Sequence, residues 1–230
     1  MDAHLLSDNI AKLIQRVRLS ATKSQRRESD ILLLAVSKTR PAGDIRAAHA
    51  CGLTTFGESY LQEALQKIEE LQDLDLVWHF IGPIQSNKTR TIAENFDWVH
   101  SVDRGKIARR LSAQRPPALA PLQVCIQVNI SGEDSKSGVS MEALPPLAEE
   151  VLALPGLQLR GLMAIPAASG DAAQQRQAFA SLRTALGDLQ ARAPGLDTLS
   201  MGMSGDMEAA IAEGATIVRV GTAIFGSRNR

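Results

Sequence analysis

Ile31-Leu32-Leu33-Leu34-Ala35-Val36-Ser37-Lys38 is the stretch on which the reading of this chain turns. An apolar, β-rich run bounded by polar residues describes a buried strand of a parallel sheet. The lysine that closes it stands at the strand's carboxyl end, where α/β folds bind their ligands. Partial burial at such a place lowers an amine's pKa and makes it a nucleophile toward aldehydes. Taken alone, the run fits a solvated strand-end lysine better. What surrounds it reverses that reading.

Outward from this run, strand and helix alternate nearly end to end. Strands are expected at Ile31–Ser37, Thr54–Gly57, Val77–Ile81, Trp98–Ser101, Leu122–Val128, Leu157–Met163, Thr198–Ser200 and Ile217–Val220. Helices are expected at Ala42–Cys51, Tyr60–Leu71, Lys88–Asn95, Arg104–Gln114, Met141–Leu154, Ala173–Ala191 and Asp206–Glu213, with one more, Leu5 to about Lys23, before any strand. Gly52 and Gly214 fall where helix carboxyl caps are wanted. Eight strands, each followed by a helix, make an α/β chain of the (β/α)8 TIM-barrel type with an extra N-terminal helix. An open, doubly wound sheet is the competing arrangement. No internal repeat is visible, and Arg115–Pro121 reads as a helix-to-strand connector, so residues 1–230 are expected to form one domain.

Composition narrows the function. Lysine plus arginine and aspartate plus glutamate are equal at 25 each, which removes the electrostatic case for nucleic acid or a membrane surface. Aromatic residues are too few for base-stacking platforms. Cys51 and Cys125 read as small core residues of a reducing compartment. Met1-Asp2-Ala3-His4 leads into an amphipathic helix and not an apolar signal core, and no stretch reaches membrane-spanning length. A soluble, cytoplasmic protein without a metal site is expected.

In a barrel, the residues after each strand's carboxyl end share one face. Here they are Lys38, then Glu58-Ser59-Tyr60, Gly82–Lys88, Ser101 and Asp103, Asn129, Pro166, Met203-Ser204-Gly205, and Gly221-Thr222. Ser204-Gly205 is expected to open the helix Asp206–Glu213, where backbone amides favour an anion. Ser204 is also read as that helix's N-cap. Gly221-Thr222 adds a second close backbone approach with a hydroxyl, and loops after strands seven and eight are the usual phosphate cradle of barrels. Arg219 interrupts Ile217-Val218-Arg219-Val220 and needs a partner, either a structural ion pair or a ligand acceptor in the barrel mouth. An amine nucleophile, a phosphate cradle and an internal donor together describe a pyridoxal 5'-phosphate site. Lys38 would meet the aldehyde, Ser204, Gly221 and Thr222 the phosphate, and Arg219 the pyridine nitrogen.

The chain resembles the YggS/PROSC pyridoxal phosphate homeostasis proteins, which are similar to the barrel domain of alanine racemase. The resemblance runs from Leu33 to Arg228. It is carried by Ala35–Thr39, Phe56-Gly57-Glu58, Trp78–Gly82, Gln85–Lys88, Ser135–Gly138, Arg160–Met163, Leu199–Ser204 and Val218–Gly226. It implies that Lys38 is the Schiff-base lysine and that Ser204, Arg219, Gly221 and Thr222 contact the cofactor. It also implies binding and supply of pyridoxal phosphate, with apo pyridoxal phosphate enzymes as recipients and no established turnover. The family usually reads Gly-Glu-Asn where this chain has Gly57-Glu58-Ser59, so the asparagine's role is not carried over to Ser59.

Several residues keep two readings. His79 is a satisfied core histidine or a proton shuttle. Glu58 is an acid/base group or the partner of a lysine, and Lys136 is a secondary phosphate or aldehyde contact or a loop lysine. Met201 and Met203 are expected to pack the barrel top. The alternative to a carrier is a pyridoxal-phosphate-dependent amino-acid racemase or related enzyme. An arginine leaves the ring nitrogen unprotonated, which disfavours carbanion chemistry in general but does not exclude racemisation, since alanine racemase is similar at this position. The sharper argument against the enzyme is that a racemase needs a second acid/base on the opposite face. Tyr60, the only tyrosine, lies in the amino-terminal quarter, and the chain ends eight residues after Thr222. A carrier with an open mouth is the expectation.

Overall fold

The computed structural model describes residues 3–131, 133, 137–167 and 169–227. All eight expected strands form: β1 (Leu32–Val36), β2 (Thr55–Glu58), β3 (Val77–Phe80), β4 (Trp98–Val102), β5 (Leu122–Gln127), β6 (Leu157–Met163), β7 (Thr198–Ser200) and β8 (Ile217–Val220). Each pairs in parallel with the next, and β8 returns to β1 to close a barrel. That excludes the open sheet, which would leave edge strands unpaired.

The helices are α1 (Ala3–Lys23), α2 (Ala42–Ala50), α3 (Leu61–Glu70), α4 (Thr89–Asn95), α5 (Gly105–Gln114), α6 (Leu144–Leu152), α7 (Ala172–Gln190), α8 (Met207–Ala212) and α9 (Thr222–Phe225). Two of them correct the sequence reading. Asp206 does not begin α8; its Oδ1 accepts from Met203 N at 2.5 Å, which spends it on the preceding turn and makes it the N-cap. Ser204 is therefore a turn residue, not the cap. Thr222, read with Gly221 as part of the loop after the eighth strand, instead begins one turn of helix, Thr222–Phe225, with Gly221 as N-cap.

The extra helix forms because α1 carries an apolar stripe. Leu6, Ile10, Leu13, Val17 and Ala21 recur at helical spacing and are all buried. They join the same apolar cluster as Met207 and Ile211 of α8 and Ile224 and Phe225 of α9. The main core lies between sheet and helices, filled by side chains such as Phe56, Ile45, Leu111, Phe179, Val218 and Val220. Gly52 and Gly214 take positive φ of 93° and 96°, as expected of helix carboxyl caps.

Cys125 is buried as expected, whereas Cys51 is only half-buried beyond the end of α2, and both are free. Among the described residues no helix is long and apolar enough to cross a membrane. Nor, among them, do three His, Cys, Asp or Glu residues gather as a metal site would require. At Gly161 on β6 an added Cβ would run into the Thr198 carbonyl oxygen of β7, a collision with backbone that cannot swing away. Gly187, inside α7, faces open space. Gly161→Ala should therefore lower the unfolding free energy by about 3 kcal/mol. Gly187→Ala should raise it by about 0.5–1 kcal/mol. Denaturant titration checks both signs.

Candidate functional site at the barrel mouth

Lys38, Ser204, Arg219, Gly221 and Thr222 line one cleft of ≈ 300 Å³ at the carboxyl end of the strands. That volume lies at the lower end of small-molecule pockets. Arg40, Ser59, Ile81, Ile165, Met203 and Gly226 are also among its walls. The ring of polar loop residues expected at this face is only partly drawn in. Ser101 instead donates its hydroxyl to Gly82 O at 2.5 Å, and Asp103 pairs with Arg104. Tyr60 caps α3 and is exposed, outside the cleft. Met201 is buried as expected, but Met203 is exposed and lines the cleft, because the turn of Met203–Asp206 lifts it out of the core. Lys136 lies outside the described residues.

Gly221 sits where a Cβ would stand 3.1 Å from Val36 O, a tight contact that a glycine avoids as the loop after β8 closes against the end of β1. The first amides of α9 have no helical acceptor before them. They face the anion-binding question as direct N–H donors, since one turn of helix adds little macrodipole. Two residues that the sequence reading missed brace these loops from behind. Asn9 Nδ2 donates to Ile224 O at 3.1 Å, and Arg16 Nη2 donates to Ser204 O at 3.3 Å while pairing with Glu208 at 2.7 Å. On an amphipathic helix both positions look like ordinary solvated surface.

Arg219 is buried on β8 and, among the described residues, pairs with no carboxylate. Its Nη1 donates to Ser200 O at 2.5 Å and Ser200 Oγ at 2.8 Å, and its Nη2 donates to Ala164 O at 2.8 Å. The ion pair considered for it does not form. Nε takes part in none of these bonds. Burial pulls the guanidinium down to about 10, so it stays protonated at neutral pH. Cys125 feels the same interior: burial pushes its thiol up to about 12 despite Arg219.

From Arg219 a hydrogen-bond chain crosses the barrel. Ser200 Oγ lies 2.7 Å from His100 Nδ1, and His100 Nε2 lies 2.8 Å from His79 Nδ1. β4 and β7 are not neighbours in the sheet, so the His100–Ser200 bond must run through the interior. Arginine only donates, so Ser200 Oγ accepts from Arg219. The hydroxyl keeps a second lone pair and one proton for His100 Nδ1, so the direction of the two remaining bonds follows the tautomers of His100 and His79. At the far end His79 Nε2 is a buried atom without a hydrogen-bond partner. Its ring stacks on Trp98 at 5.3 Å, and the Arg160 guanidinium lies 5.1 Å over that indole. His79 is thus a core histidine, as one of its two readings had it, but only partly satisfied.

Glu58 resolves in favour of a lysine partner. It is fully buried, accepts from Lys67 Nζ at 2.7 Å and from Ser37 Oγ at 2.6 Å, and burial raises its pKa against both. Ser59, next in sequence, is held in the cleft wall because Gly82 comes too close to its backbone to carry a side chain.

The family model of the alanine racemase N-terminal domain matches residues 8–229. A Pseudomonas aeruginosa protein named pyridoxal phosphate homeostasis protein is 63% identical over 224 residues, covering 97% of this chain and 96% of that one. The solved structure of PipY from Synechococcus elongatus with PLP bound is 40% identical, with a TM-score of 0.82 over 96% of this chain and 100% of that one. Alanine racemase from Corynebacterium glutamicum is 16% identical with a TM-score of 0.70, over 98% of this chain and 62% of that one, a likeness of fold.

Burial holds both imidazoles neutral, His79 at about 3 and His100 well below its ordinary value. Groups depressed in the folded state contribute stability that is complete above the unfolded value and is lost as pH falls. Unfolding free energy should therefore decline from about pH 6.5 toward 3. Glu58, raised by burial, acts in the opposite sense, with its share lost as pH rises. His79→Phe isolates the imidazole contribution. Its stability, from urea titrations at about pH 6 and pH 4, should fall less steeply than that of the unaltered chain.

Proposed function

This chain belongs to the alanine racemase N-terminal-domain family and, within it, to the YggS/PROSC pyridoxal phosphate homeostasis proteins, and on that footing we propose that it binds pyridoxal 5'-phosphate in the barrel-mouth cleft, holds it reversibly and passes it on inside the cell. The observation that carries this reading is the convergence of Lys38, Ser204, Arg219, Gly221 and Thr222 on one cleft of suitable size. The group fits the donors present. The turns at Ser204–Gly205 and Gly221–Thr222 offer amides and hydroxyls to a phosphate, and Arg219 offers a fixed cation to the ring nitrogen.

Lys38 supplies the covalent part as a reversible aldimine. Its Nζ adds to the aldehyde carbon, and the carbonyl oxygen leaves as water. A protonated arginine donates a hydrogen bond to the ring nitrogen but keeps its proton, so the bound cofactor is a weak electron sink. That disfavours carbanion chemistry in general without excluding racemisation, and the name borne by its relatives favours the carrier. Apo pyridoxal phosphate enzymes are the recipients this reading implies, in the cytoplasm, with residues 1–230 acting as one binding domain.

Lys38→Ala should lose the yellow aldimine absorbance and resist borohydride trapping. Mixed with an apo pyridoxal phosphate enzyme, the loaded unaltered protein should restore that enzyme's activity, and Lys38→Ala should alter the transfer. Rapid, Lys38-dependent exchange of the α proton of any amino acid in deuterated water would instead establish the enzyme reading.

Ser204→Ala removes one donor from the proposed phosphate cradle. It should weaken pyridoxal phosphate binding about tenfold while leaving unphosphorylated pyridoxal nearly unchanged. Parallel losses for both ligands, by equilibrium titration, would remove Ser204 from the phosphate contacts.

A further inference from the structure

Lysine is almost never fully buried, and a buried ion pair is rarely the most stable way to fill its space. Lys67 of α3 is nonetheless 4% exposed and Glu58 of β2 is 0% exposed. Lys67 Nζ donates to Glu58 Oε1 at 2.7 Å, to Glu63 Oε1 at 2.5 Å and to Ser37 O at 2.8 Å. All three of its protons are used.

The cluster grips the chain on both sides of Lys38. Before it, beyond its backbone bonds to Gly57 and Arg40, Ser37 is held by the cluster through its carbonyl, which accepts from Lys67, and through its hydroxyl, which donates to Glu58 Oε1 at 2.6 Å. After it, the Thr39 amide donates to Glu63 Oε1 at 2.5 Å. Thr39 has φ of +66°, a left-handed conformation that a β-branched residue rarely adopts and keeps only where its surroundings over-determine it. Glu63 supplies part of that determination, together with the Arg40 N–Ser37 O bond that closes the turn around Lys38 and Thr39. With both flanking residues fixed, the backbone of Lys38 has one direction in which to send its side chain, into the cleft.

We propose that Lys67, with Glu58 and Glu63, is a positioning residue for Lys38: the buried ion cluster clamps Ser37 and the strained Thr39 so that the amine is presented to the aldehyde without a backbone search. The inference rests on the reading that Lys38 carries the cofactor. Glu63 lies at the edge of the cluster, with its side chain 30% exposed, so Glu63→Ala tests the clamp without emptying the interior. Lys67→Met and Lys67→Arg accompany it.

Three measurements are made on each full-length protein. They are hydrogen exchange of segment 37–40 without cofactor, the rate of aldimine formation with pyridoxal 5'-phosphate, and affinity for pyridoxine 5'-phosphate, which has no aldehyde. Glu63→Ala and Lys67→Met should speed exchange in the segment and slow aldimine formation on the order of tenfold, with pyridoxine 5'-phosphate affinity unchanged. Lys67→Arg, which keeps the charge and the donors, should recover part of the rate. An aldimine rate in Glu63→Ala equal to that of the unaltered protein overturns the proposal. So does a parallel fall in pyridoxine 5'-phosphate affinity, which would mark the cluster as general scaffold. Borohydride trapping of the unaltered protein separates the two readings: no adduct on Lys38 overturns the cofactor assignment itself, while an adduct there with unmoved variants overturns the clamp alone.

Discussion

Closure of the barrel is the constraint on which the rest depends. The β1–β8 ladder sets Leu34 opposite Arg219 and Ala35 opposite Val220. This register puts the residues just beyond each strand, Lys38 and Gly221-Thr222, side by side although they come from opposite ends of the chain. A shift of one residue would turn Arg219 out of the interior, since strand side chains alternate. Arg219 N also bonds Gly202 O, which ties the loop after β7 to the same seam. α1 then covers the seam from outside, with Asn9 on Ile224 O and Arg16 on Ser204 O. The first helix in sequence holds the last loops in space.

Barrel interiors of this type are ordinarily filled by branched apolar side chains. Here His79, His100, Ser200 and Arg219 occupy interior positions on four strands. The arrangement is tolerable because only one of them is charged. Carbonyls of Ser200 and Ala164 solvate the guanidinium in place of water, and both imidazoles remain neutral. Two neutral rings relay a dipole without adding a second cation beside Arg219. Of these four interior residues, Arg219 alone brings a charge beneath the cleft.

The barrel was legible because hydrophobic runs and glycine caps recur at regular spacing, and those signals are local. Lys38 and Arg219 were legible for the opposite reason: each breaks an apolar pattern at a place where a charge needs an explanation. What escaped notice lies where a residue's burial is set by tertiary packing. Lys67 stands in a helix whose composition reads as exposed, and only the approach of β2 shows that its amine faces inward. His100 sits in a short strand beside Trp98 and Ser101, and nothing local says that its partner is a serine three strands away. The start of α8 was misplaced by one residue because Asp206 suits both a turn and a first helical turn, and the bond to Met203 N decides between them.

The two halves of the cleft are supported by different physics, and that bears on what the site can do. The phosphate half is made of turns near the surface, braced by exposed side chains of α1, and water competes for every contact it offers. The amine half is anchored by buried charges that water does not reach. On the proposed reading, the non-covalent hold is the adjustable one and the covalent geometry is the fixed one. A site that retained its cofactor through catalytic cycles would need both to be tight, together with a second acid/base group on the cofactor's opposite face. Arg219 keeps its proton, so it would orient the ring without protonating it. The residues that would orient the cofactor best are thus the ones that leave it least activated, which is the combination a carrier requires.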